Sequence, residues 1–120
     1  MVNGKILVKI MKINILGTDY KIKENCNIED YSGLIENEAY TDFTTKEIII
    51  GEFGNDSINS VKDINYHIRK VKRHEIVHSL LFESGLDNNT DWARNEEIID
   101  WIAMQYPKMK KIFEKLNIEN

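Results

Sequence analysis

The hydrophobic pattern of this sequence changes its period about midway along the chain, and this change restricts the fold class. Residues 11–15 read Met-Lys-Ile-Asn-Ile, an alternation that is typical of a half-buried strand. Beyond residue 60, apolar residues recur three and four positions apart, which is typical of helices that pack through one face. The sequence therefore predicts an α+β fold, with residues 1–55 mainly in strands and residues 57–120 mainly in helices.

Two strand pairs are predicted in the first half. Residues 11–15 and 20–23 flank a short glycine-containing turn, so they are expected to form a hairpin. Residues 39–43 and 46–50 are expected to form a second pair, because the latter run ends in three isoleucines. The polar residues 24–36 between the pairs predict a loop or a short irregular turn. Together these strands predict a small antiparallel or mixed sheet.

A long helix that packs on this sheet is predicted over residues 60–85. Ser60 and Asp63 can cap its first turn, and Gly85 is expected to end it. An apolar stripe on the helix is expected to face the sheet and to continue into His74 and His78. This stripe comprises Val61, Ile64, Ile68 and Val71.

A second helix is predicted from Thr90 or Asp91 to Tyr106, because Pro107 disfavours helical geometry in the residue before it. A last short helix then presents apolar residues on one face, namely Met109, Ile112, Phe113 and Leu116. The predicted architecture is thus a sheet on a long helix, followed by further helices.

Length and charge narrow the class of partner. At 120 residues the chain is predicted to form a single domain over residues 1–120. A formal net charge of −4 argues against binding to nucleic acid or to an anionic membrane, since either requires a basic face. The single cysteine, Cys26, excludes an intrachain disulfide and a thiolate-rich zinc site.

The first residues bear on the cellular compartment. Residues 5–16 are apolar enough to suggest a signal peptide, but Lys5, Lys9 and Lys12 interrupt them and no small-residue cleavage site follows. No run of the sequence approaches the length that a membrane span needs. A cytoplasmic protein without a membrane partner is therefore predicted, and the pattern predicts no particular oligomeric state.

The stretch His74-Glu75-Ile76-Val77-His78 lies within the predicted long helix and has the H-E-x-x-H pattern. Residues four apart lie one turn apart on the same helix face, so two imidazole nitrogens can reach one ion at about 2.0–2.1 Å. Glu75 is rotated by about 100° from His74, which places it at the edge of the site, where it can act as a general base toward water. The plainer alternative is two ordinary histidines, one against the core and one facing solvent.

A four-coordinate catalytic zinc ion needs a third protein ligand and one open position. Glu96 is the candidate ligand, because it falls in an otherwise apolar stripe with Ile99 and Ala103. A buried carboxylate must be paired or bound to metal, whereas Glu97 is rotated away and can stay solvated. Asp100, one turn further on, can accept the second ring proton of a ligating histidine and fix its tautomer. The alternative is that Glu96 and Asp100 are surface acids paired with Lys or Arg.

These residues resemble a known family of enzymes. Asn95-Glu96 followed by Asp100 is similar to the thermolysin-type arrangement of the gluzincins, in which the third zinc ligand is a glutamate. Residues 73–81, followed by E-x-x-x-D-x-I-A over residues 96–103, resemble the small phage and mobile-element metallopeptidases of the ImmA/IrrE type. The motifs that carry this resemblance lie in the second half of the chain.

The resemblance implies a zincin-like minimal metallopeptidase with Zn²⁺ as cofactor and a peptide or protein as substrate, such as a phage or mobile-element regulator. It also implies an edge strand beside the cleft that holds an extended peptide by strand addition, and residues 46–50 are the expected strand. One alternative function is a catalytically silent, zinc-stabilised binding module of the same fold. A helical regulator without metal is another.

A peptide hydrolase also needs a donor to the oxyanion of its transition state. Tyr106 shares the predicted stripe of Glu96, and His67 lies seven residues before His74 on the same helix. Both are candidates for this donor, and both also suit a packing role. His67 as a fourth zinc ligand is disfavoured, because a closed coordination sphere would abolish catalysis.

Overall fold

The computed structural model describes residues 7–53 and 63–120, and these residues form one mixed β-sheet and two long α-helices. The strands are β1 (Lys9–Ile15), β2 (Thr18–Cys26), β3 (Ala39–Asp42) and β4 (Glu47–Gly51), and the helices are α1 (Ile64–Glu83) and α2 (Glu96–Leu116). Two short 3₁₀ turns, Ser32–Ile35 and Trp92–Arg94, complete the described elements. The predicted α+β fold with a small mixed sheet is confirmed.

The sheet has the strand order β1-β2-β4-β3. β1 and β2 pair antiparallel around the two-residue turn Leu16-Gly17, where both residues have positive φ, as a tight hairpin turn requires. β3 and β4 also pair antiparallel, whereas β2 and β4 run parallel. Both predicted strand pairs are confirmed, and the parallel contact between them makes the sheet mixed.

The polar segment after the first hairpin is partly regular. β2 continues to Cys26, which pairs with Gly51 of β4 beyond an irregularity that follows Lys23. The prediction of a loop is therefore wrong for residues 24–26, because backbone pairing with β4, and not an apolar side-chain pattern, extends the strand. Residues 32–35 form a 3₁₀ turn within the remaining connection.

β3 is an edge strand of the described sheet. β4 lies between β2 and β3 and is hydrogen-bonded on both sides, so residues 46–50 are not the edge strand that the family resemblance implied. That expectation is wrong because β2 occupies the other side of β4 in parallel. The two edge strands of the described sheet are β1 and β3, and β3 belongs to the same hairpin as β4.

α1 covers one face of the sheet. The Asp63 side chain caps the helix by accepting a hydrogen bond from the backbone N–H of Tyr66, while Ser60 and Val61 lie outside the described residues. The helix ends at Glu83, just before Gly85, whose φ of +85° suits glycine. The core between sheet and helix is formed by Ile15, Tyr20, Ile48, Ile50 and Val71.

The buried face of α1 continues from Val71 to Glu75 and Ser79, at a spacing of four residues. The prediction that His74 and His78 continue the sheet-facing stripe is therefore wrong. Each histidine precedes a buried residue by one position and is rotated from it by about 100°. The two imidazoles consequently face α2, whereas the carboxylate of Glu75 faces the sheet.

α2 is one continuous helix, although the sequence predicts a break at Pro107. Pro107 lacks an N–H and leaves the carbonyl of Ala103 without a helical donor, but Arg73 of α1 donates to that carbonyl instead. The predicted start is also wrong. The Asn95 side chain caps the helix by accepting from the backbone N–H of Ile98, so the helix begins at Glu96 and not at residue 90 or 91.

α2 packs on α1 through a few small and branched residues. Ile99 and Ala103 are fully buried, and Ile99 forms a cluster with Leu81 and Ala93, against which Val77 packs. The two helices therefore lie side by side at the histidine turn of α1. Neither described helix is both long enough and apolar enough to cross a membrane.

Candidate metal centre

His74, His78 and Glu96 converge on a common point between the two helices. The imidazole rings lie one turn apart on α1, with 4.9 Å between their centroids. His74 Nε2 lies 2.9 Å from Oε2 of Glu96, and His78 Nε2 lies 3.0 Å from Oε1. One nitrogen or oxygen from each residue falls within 4.8 Å of those of the other two. The structure thus brings together the three predicted ligands.

This set of atoms fits a zinc ion in number and chemistry. Two imidazole nitrogens and one carboxylate oxygen are a ligand set that catalytic zinc accepts, with a fourth position left for water or substrate. Zinc–ligand bonds of about 2.0–2.1 Å in a tetrahedron hold neighbouring ligand atoms about 3.3 Å apart. The observed separations from the Glu96 oxygens to the two rings are slightly shorter, at 2.9 and 3.0 Å.

Glu96 reaches the histidines by a different route from the one that the sequence suggests. Its side chain is 68% exposed, so the expectation that Glu96 is buried in the apolar stripe of α2 is wrong. Glu96 is the first residue of α2 and does not continue the buried face formed by Ile99 and Ala103. A carboxylate is also favoured at a helix N-terminus by the helix dipole. Glu97, the neighbouring acid, does not belong to the group of candidate ligands.

Asp100 lies beside the other nitrogen of His74. Its Oδ1 is 3.3 Å from His74 Nδ1, and Lys70 Nζ approaches the same oxygen at 3.8 Å. When Nε2 of an imidazole faces a metal, Nδ1 carries the proton and needs an acceptor. The position of Asp100 is the one that this role requires.

Glu75 lies beneath the histidines, between α1 and β3. Only 7% of the residue is exposed, and Thr41 Oγ1 donates a hydrogen bond of 3.0 Å to its Oε1. Burial raises the pKa of the Glu75 carboxyl, while the Thr41 hydrogen bond and the two nearby histidines act in the opposite direction. The sequence predicts Glu75 at the edge of the site, and the structure buries its carboxyl beside β3.

Thr41 is a residue that sequence reasoning did not select. The alternation of β3 gives Thr41 and Ala39 the same face of the sheet, so the pattern could have placed it toward α1. Which residue of α1 it meets depends on how the helix is rotated on the sheet, and no local motif specifies that rotation.

A cavity of about 160 Å³ adjoins His74 where the start of β3, α1 and α2 meet. It is lined by Asn37, Glu38, Ala39, Lys70, Val71, His74 and Asp100. The cavity thus connects the edge strand with the histidine turn. It is space that a substrate side chain could occupy.

The two candidate oxyanion donors lie apart from this cluster. His67 Nε2 is 2.9 Å from Oε1 of Glu38, and its ring packs edge-on against Phe53. It is two turns from His74, about 10.5 Å along the axis. Tyr106 is half-exposed and about 15 Å along α2 from Glu96. The structure brings neither residue to the three candidate ligands.

No family model, no curated protein and no solved structure matches this chain. The resemblance to metallopeptidases of the ImmA/IrrE type therefore rests on the motif residues themselves.

Proposed function

We propose that this chain is a zinc-dependent endopeptidase with a zincin-like fold, of the ImmA/IrrE type, that acts on a peptide or protein such as a phage or mobile-element regulator. His74, His78 and Glu96 hold the ion, and Glu75 is the general base. One observation carries the proposal: two imidazole nitrogens from α1 and a carboxylate from α2 converge on one point, next to a buried acid.

Zinc is the ion that the ligand types favour. Imidazole with a single carboxylate suits zinc better than magnesium or calcium, which prefer sites made of oxygen atoms. When bound, the ion lowers the pKa of a water molecule to about 7 and polarises the peptide carbonyl.

The side chains of the chain supply the proton transfers and the orientation. Glu75 accepts a proton from the attacking water and returns it to the leaving amine, which is the work of a general base and then of a general acid. The burial that raises the pKa of the Glu75 carboxyl makes its carboxylate a stronger base. Asp100 accepts the Nδ1 proton of His74 and so keeps Nε2 free to bind metal.

β3 provides the edge on which an extended peptide can align. The hydrogen bond from Gly51 N to the carbonyl of Glu38 fixes the register, so the backbone groups of Ala39 and Thr41 point away from β4. Both residues lie on the side of the site, and Ala39 lines the cavity next to His74. A substrate strand added there would pass in front of the histidine turn.

The test combines metal content with peptide cleavage. Protein purified without chelator is expected to contain zinc in equimolar amount and to generate new termini in a mixture of proteome-derived peptides, read by mass spectrometry. Glu75→Gln is expected to keep the zinc and lose the cleavage, because it removes the base and spares the ligands. Absence of zinc would refute the metal centre, and undiminished cleavage by Glu75→Gln would refute the assignment of the base.

A second candidate, a zinc-stabilised binding module without turnover, is favoured by one feature. Glu75 is buried and already accepts a hydrogen bond from Thr41, which is also what a purely structural carboxylate would do. The same experiment separates the two functions. Equimolar zinc with no cleavage by the wild-type protein would support the module.

A further inference from the structure

Thr41 and Glu75 form a contact between the edge strand and the helix that carries the histidines. Within residues 7–53 and 63–120, the hydroxyl of Thr41 makes the one side-chain hydrogen bond to the Glu75 carboxylate, at 3.0 Å and to Oε1. Both partners are shielded: Glu75 is buried and Thr41 is half-buried. A buried hydrogen bond to a carboxylate is stronger than an exposed one, since water does not compete for the acceptor.

The bond restricts the torsion that turns the Glu75 carboxylate. A glutamate has three side-chain torsions, and the last of them, which turns the carboxylate, is broad. With Oε1 bound to Thr41, the second oxygen, Oε2, remains to accept a proton. A general base must lie within about 2.6–3.2 Å of the atom that gives up the proton, so a small rotation of the carboxylate decides whether it can act.

We propose that Thr41 is a positioning residue, whose hydroxyl fixes the Glu75 carboxylate so that Oε2 faces the metal site. This inference rests on the proposed function and deepens it. The backbone of Thr41 faces the free edge of β3, while its side chain holds Glu75. Thr41 would thus pair with an extended substrate through its backbone and orient Glu75 through its side chain.

The experiment measures binding of acetohydroxamate to the zinc-loaded protein by calorimetry. A hydroxamic acid binds zinc as an anion after its hydroxyl proton passes to a neighbouring base, so its affinity reports the position of Glu75 without a peptide substrate. Thr41→Val, which keeps the shape and removes the hydroxyl, is expected to weaken acetohydroxamate binding by about tenfold with unchanged zinc content. Thr41→Ser is expected to restore wild-type affinity, because it restores the donor.

Two controls distinguish orientation of Glu75 from a general effect on the hairpin. Thr44→Val removes a hydroxyl that donates to Asp42 in the β3–β4 turn, and it is expected to leave acetohydroxamate affinity unchanged. In a Glu75→Gln background, Thr41→Val is expected to change acetohydroxamate affinity little further. Equal affinity of Thr41→Val and wild type, failure of Thr41→Ser to rescue, or an undiminished loss in the Glu75→Gln background would overturn the inference.

The outcomes also separate this inference from the function on which it rests. A wild-type protein that binds no zinc overturns both. A wild-type protein that binds zinc and acetohydroxamate, with a Thr41→Val variant that binds both equally well, overturns the role of Thr41 alone.

Discussion

Arg73 Nε of α1 donates a hydrogen bond to the backbone carbonyl of Ala103 in α2, with 2.7 Å between the two atoms. Ala103 lies four residues before Pro107. Proline has no N–H, so the carbonyl of Ala103 has no donor within the helix. One side chain therefore allows α2 to continue through Pro107 and ties the two helices together next to His74.

Arg73→Met is expected to lower the free energy of unfolding, because it leaves the Ala103 carbonyl without a donor. Arg73 Nη2 is buried without a partner among the described residues, and the cost of burying it offsets part of the stabilisation from the Nε hydrogen bond. We therefore expect the free energy of unfolding to fall by about 1 kcal/mol. Urea unfolding measures this change. Arg69→Met, at an exposed position of the same helix, is the control. In a Pro107→Ala background, which returns an N–H to the helix, the loss should shrink. An equal loss in both backgrounds would contradict this account.

Glu96→Ala is expected to lower zinc affinity much more than Glu97→Ala. Loss of a partner that merely orients a ligand costs about 10–100-fold in affinity, so loss of a ligand should exceed about 100-fold. Glu97 is the matched control, since it is the adjacent acid in the first turn of the same helix. Competition against a chromogenic chelator measures both constants. Similar losses in the two variants would show that the wrong glutamate has been chosen.

Asp100→Ala is expected to weaken zinc binding by about 10–100-fold without changing the stoichiometry. The reason is that His74 Nδ1 then loses the acceptor that fixes its tautomer. Asp91→Ala provides the comparison, because the Asp91 side chain forms an exposed ion pair with Arg94, and such pairs contribute little to stability. The idea that Asp100 acts through His74 fails if both variants bind zinc as the wild type does.

Glu83 is expected to make stability depend on pH in the acid range. Hydrogen bonds from Thr18 and Tyr20, with Lys46 nearby, lower the pKa of the Glu83 carboxyl below its unfolded value. The stabilisation that ionised Glu83 gives the folded state is therefore complete above the unfolded pKa, about 4.3. This stabilisation is lost as pH falls through the lower folded pKa. Urea midpoints of wild type should fall more steeply below about pH 5 than those of Glu83→Gln. Glu119→Gln, at an exposed position, should follow the wild-type curve.

The strands and helices could be predicted from local sequence patterns. The first hairpin follows from the alternation of residues 11–15, the second from the run of three isoleucines, and the end of α1 from Gly85. The parallel pairing of β2 with β4 could not be predicted, because it joins segments that are far apart in sequence. The length of α2 was missed for a related reason, since the donor that tolerates Pro107 is Arg73, on another helix.

The candidate ligands could be named from spacing, but their surroundings could not. His74 and His78 follow from helical geometry alone. Glu96 was selected by an argument from burial, yet it is exposed and reaches the histidines from the first position of a helix that Asn95 caps. Thr41 was not selected at all, because the rotation of α1 on the sheet decides what its hydroxyl meets.

The converging imidazoles and carboxylate belong to two helices that residues 84–95 connect, so an ion bound there would hold the end of α1 and the start of α2 together. A ligand present at a thousand times its dissociation constant adds about 4 kcal/mol to the folded state, provided that the unfolded chain does not bind it. Melting temperature would then serve as a gauge of occupancy. A sample only half filled with zinc would melt in two steps if exchange of the ion were slow compared with the heating scan.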